Sequence, residues 1–148
     1  QMKADGDVRY IGITTSHGRR HGDFARIMET ERLDFVQLTY NVLDREAEDR
    51  LLPLARERGI AVIVNRPFQG GRLFRRFQSE TLPPWADEVG CRNWAEFFLK
   101  YILSHPAVTC AIPATTSVEH MKENMGALYG VLPDEKQRRR MAAYVAGL

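Results

Sequence analysis

A chain of 148 residues, 44% of them hydrophobic, is long enough for one ordinary folded domain with its own core. Its 21 basic and 19 acidic side chains leave a net charge of +2, too little to make nucleic acid or an anionic membrane the main partner. No apolar run approaches the roughly 20 residues that span a bilayer, QMKADGD at the start does not read as a signal peptide, and Cys91 and Cys110 lack any CxxC or Cys/His spacing, so neither a metal site nor a disulfide framework is expected.

Strand-like runs at residues 8–14 (VRYIGIT), 34–39 (DFVQLT) and 60–64 (IAVIV) start 26 residues apart. A fourth, 108–113 (VTCAIP), follows a Gly- and Pro-punctuated loop at 65–90. Helical patterns fill the intervals, and this alternation predicts parallel strands joined by right-handed crossovers. Residues 22–31 put Phe24, Ile27 and Met28 on one face. The next helix has Glu46, Glu48 and Asp49 early, Arg56 and Arg58 late, and Gly59 past its end, the order favoured by the helix dipole and by a left-handed C-cap. Pro53 has no amide proton for an interior turn, so a kink or a fresh start near Leu52 is expected. Residues 93–104 form an apolar helix ended by His105-Pro106. Thr116 and Glu119 have capping-box spacing and open a helix to about Tyr129. A last helix over 134–146 carries KQRRR, expected to be a solvated face.

Four βα units and a terminal helix admit two closed architectures. A doubly wound open sheet of flavodoxin-like topology, a small ligand-binding domain, could be complete at this length, whereas an eight-strand (β/α) barrel takes about 250 residues. Against the open sheet, GITTSHGRRHG after the first strand is not a Gly-rich dinucleotide fingerprint. Polar residues at the strand ends, Thr14, Thr15, Gln37 and Asn65, stand where either architecture binds ligands. The basic-aromatic stretch GGRLFRRF, residues 70–77, has the residue types of a nucleic-acid loop but no supporting net charge.

Four motifs in this order, VRYIGIT, LDFVQLTYN, RGIAVIVNRPFQGGRLF and AIPATTSVEHMKENMGAL, together resemble the second half of an aldo-keto reductase barrel over residues 1–129. The resemblance implies an α/β fold in which these strands are the fifth to eighth of a (β/α)8 barrel, the chain being a fragment whose N-terminal half is absent. It also implies NAD(P)H-dependent reduction of a small carbonyl substrate by the intact protein. Gln37 then meets the nicotinamide carboxamide, a group with both a donor and an acceptor that an amide complements, flanked by Thr14 and Thr15 where the family usually has Ser-Asn. Asn65 replaces the family's stacking aromatic. Arg66, Phe68 and Gly70 match the segment wrapping the pyrophosphate, where glycine lets backbone amides approach phosphate.

By the same resemblance Ala114, Thr115, Thr116 and His120 fall at the ribose phosphate, and Glu123 and Asn124 at adenine. NADPH is the implied cofactor, with NADH kept open, since Ala114 and His120 stand where a lysine and an arginine accompany strong NADPH preference. The catalytic tyrosine, lysine, aspartate and histidine lie in the family's first half, so no catalytic residue maps onto this chain and the fragment alone is expected to be inactive. His17 and His21 near the mouth are candidate substrate contacts, as is the loop bearing Phe74, Phe77 and Trp85, whose rings could equally cap the helices. Two open edge strands predict pairing with a second copy or with the missing half. The compartment is not encoded in these residues.

Overall fold

The computed structural model describes residues 1–148. Four parallel strands form one sheet, β1 (Gly12–Thr14), β2 (Phe35–Thr39), β3 (Ala61–Asn65) and β4 (Cys110–Ala111), lying side by side in chain order. That order decides between the two architectures. A doubly wound sheet reverses its strand order at a switch point, and this sheet has no reversal, as expected for consecutive units of a barrel wall.

Register assigns the faces. Gly12 pairs with Phe35 and Phe35 with Ala61; two residues on, Thr14, Gln37, Ile63 and Cys110 share a layer. These residues point to the side away from the helices, where Phe35, Gln37, Ala61 and Ile63 keep part of their surface exposed. The alternate set, Val36, Leu38, Val62 and Val64, is fully buried in the apolar core. An interior wall that carries polar groups at its C-terminal edge is what a barrel needs to hold a ligand at its mouth.

The first strand is shorter than expected. Residues 8–11 stay out of the sheet because β2 begins only at Phe35, and Asp34 takes the place of a neighbouring backbone: its Oδ2 accepts from the Ile11 amide at 2.9 Å. Lys3 pairs with the same carboxylate at 2.7 Å, and these two hydrogen bonds, Lys3 first, hold the Asp34 carboxyl below its ordinary range.

Helix α1 (His21–Thr30) buries Phe24 and Met28. A 3-10 turn at Glu46–Glu48 precedes α2 (Leu51–Arg58), so Pro53 falls in a first turn, where its missing amide proton costs nothing. Gly59 ends α2 at φ 67°, a left-handed cap open to glycine without strain. The stretch expected to be loop at 65–90 contains a further helix, α3 (Arg72–Phe77), and two 3-10 turns, Gln69–Gly71 and Ala86–Val89. Helix α4 (Trp94–Leu103) is capped by Asn93 and is buried on nearly every side. Its two charged residues are satisfied: Lys100 donates to the carbonyls of Val89 and Val131, and Glu96 pairs with Arg92 at 2.7 Å.

Two expectations near the C-terminus are corrected. Helix α5 (Val118–Gly126) is capped by Ser117, whose hydroxyl accepts from the His120 amide; no Thr116–Glu119 capping box forms and the helix stops before Tyr129. The cause is local, since the Thr115 hydroxyl accepts the Ser117 amide and moves the helix start on by one residue. Helix α6 (Glu135–Ala146) carries the capping box instead, from Asp134 and Gln137. Its basic run is not uniformly solvated: Arg139 and Arg140 pair at the surface with Glu135 and Glu88, but Arg138 is buried.

Arg138 joins a polar cluster that ties α6 to the barrel wall. Its Nη2 donates to the Tyr40 hydroxyl at 2.6 Å and to Glu48 Oε1 at 3.0 Å. Tyr40 and Tyr101 donate to the same carboxylate oxygen, and Arg45 donates to the other at 2.6 Å. Burial alone would raise the Glu48 pKa, but hydrogen bonds from Arg45, Tyr40 and Tyr101 outweigh it and hold the carboxyl below its ordinary value. Burial, followed by the nearby Arg138 charge, lowers His105 to about 4, so at neutral pH it packs edge-on against Tyr40 as a neutral ring.

No helix is long and apolar enough to cross a membrane. Apolar side chains are exposed at both ends of the sheet: Tyr10 and Ile11 beside β1, and Ile112, Val118, Met121 and Met125 beside β4 and along α5.

Candidate functional site

The C-terminal ends of the strands carry a chain of amides and hydroxyls. Gln37 Nε2 donates to the Thr14 hydroxyl at 3.0 Å, its only side-chain hydrogen bond, which leaves Oε1 to accept from a ligand. Backbone pairing continues one residue past β1, from the Thr15 amide to the Gln37 carbonyl at 2.9 Å. Asn65 is used differently. It is buried, its Oδ1 accepts from Thr39 at 2.7 Å and its Nδ2 donates to the Thr15 carbonyl at 2.7 Å, so one side chain clamps the ends of three strands. Thr39 also accepts the His17 amide at 3.1 Å, which anchors the first βα loop to the same clamp.

Beyond β3 the backbone turns sharply. Arg66, Gln69, Gly70 and Gly71 all have positive φ, from 51° to 83°. Buried Asn41 supports the first of these, donating from Nδ2 to the Arg66 carbonyl at 3.2 Å while its Oδ1 accepts the Leu43 and Asp44 amides. Non-glycine residues in this region are costly unless the surroundings hold them; here a buried side chain does so for Arg66. The Arg66 guanidinium meets the His17 ring, whose other nitrogen lies 2.7 Å from the Ser16 hydroxyl. His17 is thus a neighbour of Arg66 at the mouth, and His21 is the first residue of α1, with a buried Nε2 that finds no partner.

Between this turn and α5 lies a cleft of about 710 Å³. Eight of the expected residues line it: Arg66, Phe68, Gly70, Ala114, Thr115, His120, Glu123 and Asn124. Thr116 does not, and Thr14, Thr15, Gln37 and Asn65 stand outside it, along the strand ends. Pro67, Phe74, Ala95 and Ile112 complete its apolar lining and were not among the expected cofactor contacts. Alternation along β4 could have pointed to Ile112, two residues beyond Cys110, but nothing local marks Ala95, which arrives from α4. Phe77 and Trp85 play the capping role: Phe77 is buried against Trp94 and Phe98, and Trp85 packs on Phe97 under the Arg140 guanidinium.

Cys110 is exposed on the interior wall, whereas Cys91 is buried, its thiol pushed up to about 12 by desolvation, and both are free. The charges around the cleft are few. Arg66 and His120 are its only basic side chains, with the Glu123 carboxylate opposing them.

Residues 1–144 match the model of the aldo/keto reductase family. The chain belongs to that family. Among curated relatives of this aldo/keto reductase chain, the NADH-specific methylglyoxal reductase of Escherichia coli K12 is 33% identical over 158 aligned positions, covering 86% of this chain and 46% of the relative. Pyridoxine 4-dehydrogenase of the same organism is 30% identical, covering 86% of this chain and 42% of its own. The chain therefore spans a little under half the length of the curated relatives it matches.

Solved structures share the fold. The holo form of an aldo-keto reductase from Bacillus halodurans superposes with a TM-score of 0.73 at 22% identity, over 97% of this chain and 52% of that one. An aldo/keto reductase from Klebsiella pneumoniae, in complex with NADP and acetate, gives a TM-score of 0.76 at 23% identity, over 97% and 50%. The four-stranded aldo/keto reductase sheet thus matches about half of a barrel in each.

Proposed function

We propose that this chain carries most of the dinucleotide site of an NAD(P)H-dependent carbonyl reductase acting on a small aldehyde or ketone. One observation carries the reading: eight residues scattered from position 66 to position 124 meet around one cleft. The bound nicotinamide would supply hydride to the carbonyl carbon. The chain's own residues bind and orient: Gln37 and Thr14 take the carboxamide, the Gly70 turn and Arg66 take the diphosphate, and α5 takes the adenosine end.

Asn65 contributes by holding β1, β2 and β3 in register, because both ends of its amide are engaged by protein. With Arg66 as its one guanidinium, and the Glu123 carboxylate opposing it, the cleft binds NADH and NADPH with similar affinity. The NADH-specific name of one relative and the NADP bound to another fit that reading.

Fluorescence titration with NADH and NADPH is the test. Both bind, and Gln37→Leu weakens each by roughly tenfold, the worth of one or two ligand hydrogen bonds. Lack of binding by either nucleotide would overturn the proposal. Because the family's acid tyrosine and its partners belong to the half of the barrel that these 148 residues do not span, these residues by themselves bind cofactor without turning over an aldehyde.

The edges of β1 and β4 and the apolar side chains beside them call for a partner, which we assign to a second copy or to the complementary half of a barrel. A second copy related by a twofold axis along the barrel would set β1 of each against β4 of the other in parallel, closing both edges at once. Light scattering on the isolated chain should give twice 17.0 kDa; a monomer at that mass counts against self-pairing.

A further inference from the structure

Phe74 sits in the first turns of α3, with 38% of its surface exposed. It is the exposed member of an otherwise buried aromatic group. Phe68 packs on it at a centroid distance of 4.7 Å and Phe98 meets it edge-on at 6.1 Å, and these two rings are 8% and 0% exposed. Phe74 is thus held in place from one side while its remaining surface lines the cleft. An aromatic ring presented to water on a rigid support is poorly covered by solvent and well covered by another flat ring.

The position in the cleft selects which ring. Gln37 and Thr14, the groups suited to a carboxamide, lie along the β1 and β2 ends outside the cleft. Phe74 shares the cleft with α5, which presents Glu123 and Asn124, acceptors for an exocyclic amine, and the glycine turn lies between the two regions in the chain. A dinucleotide laid from Gln37 across the turn brings its purine, not its nicotinamide, to Phe74.

We propose that Phe74 is a base-stacking residue of this site, packing against the adenine ring of the cofactor, an inference that rests on the dinucleotide reading above. Stacking of a base on an aromatic side chain is lost on truncation to alanine, with about a 5- to 100-fold fall in affinity. A tryptophan preserves the face.

Calorimetric titration with ADP-ribose, which has adenosine and diphosphate but no nicotinamide, separates the possibilities when run on the wild-type chain, Phe74→Ala and Phe74→Trp. Phe74→Ala is expected to bind 5- to 100-fold more weakly and Phe74→Trp within about twofold of wild type, with the adenine H2 and H8 proton resonances shifted upfield in wild type and not in Phe74→Ala. Equal affinity of Phe74→Ala and wild type overturns the stacking role. So does a Phe74→Trp as weak as Phe74→Ala, since that marks a packing effect. Wild type that binds reduced nicotinamide mononucleotide but not ADP-ribose overturns the stacking proposal alone, whereas wild type that binds neither overturns the dinucleotide reading as well.

Discussion

Arg138→Ala destabilises the chain by about 3 kcal/mol in urea unfolding, because it removes one partner of a buried ion pair and leaves the other without its compensation. Arg138 is the only cation buried beside Glu48; Arg45 reaches the same carboxylate from the surface. Removing Arg138 also strips the Tyr40 hydroxyl and the Tyr101 carbonyl of a donor. The upper part of the roughly 3–5 kcal/mol range typical of a broken buried pair is not reached, because Glu48 keeps Arg45 and part of its surface in water. Arg138→Lys should restore little, since one ammonium cannot reproduce the forked contacts to Tyr40, Glu48 and Tyr101.

The pH dependence follows from the sign of the Glu48 shift. Its pKa in the folded chain lies below the ordinary 4.5, so the stabilisation is complete above about pH 4.5 and is lost as pH falls through the depressed value. Arg138→Ala should therefore differ from wild type more at pH 7 than in acid, where Glu48 is neutral and only the lost contacts to Tyr40 and Tyr101 remain. A variant with an unchanged urea midpoint at pH 7 would show the cluster to be worth no more than a surface pair.

Gly12→Ala has an effect of similar size for a steric reason. A methyl group at Gly12 would lie 2.5 Å from the Phe35 carbonyl oxygen and 2.9 Å from its Cβ, in the layer where β1 pairs with β2. Backbone cannot yield as a flexible side chain can, so β1 must move off β2, at a cost of about 3 kcal/mol, the upper end for an overpacked site. The displacement carries Thr14 and Thr15 away from Gln37, so on the cofactor reading proposed above NADH affinity falls together with stability. Gly22→Ala is the control, because a methyl there meets nothing within 4 Å and the residue is helical. If Gly12→Ala unfolds at the wild-type midpoint and binds NADH normally, the close approach of β1 to β2 is not rigid.

Much of the architecture was legible locally. The even spacing of the strands, Gly59 as a helix stop and Pro53 as a helix start each depend on properties a residue keeps in any context: alternation, access to positive φ, a missing amide proton. The helix at 72–77 was not legible, because its glycine pair reads as a turn and its aromatic residues become helical through packing on Phe98 and Trp94. The capping box at Thr116 failed by one residue because Thr115, equally able to accept an amide, took the Ser117 proton.

By itself, then, the amino-acid sequence determined the type and order of the strands, most helix ends, and the motifs that mark the family, since each is a short-range property of backbone and side chain. Only the tertiary structure decided that the strands lie in sequential order, that Asn65 is a clamp between three strand ends, and that Arg138 is buried while its neighbours are solvated. The same holds for the gathering of Phe74 with α5 around one cleft. Each of these depends on contacts between residues about 25 to 100 positions apart, and the free energy of an amide, a guanidinium or an aromatic ring is set by the partners it meets there rather than by its neighbours in the chain.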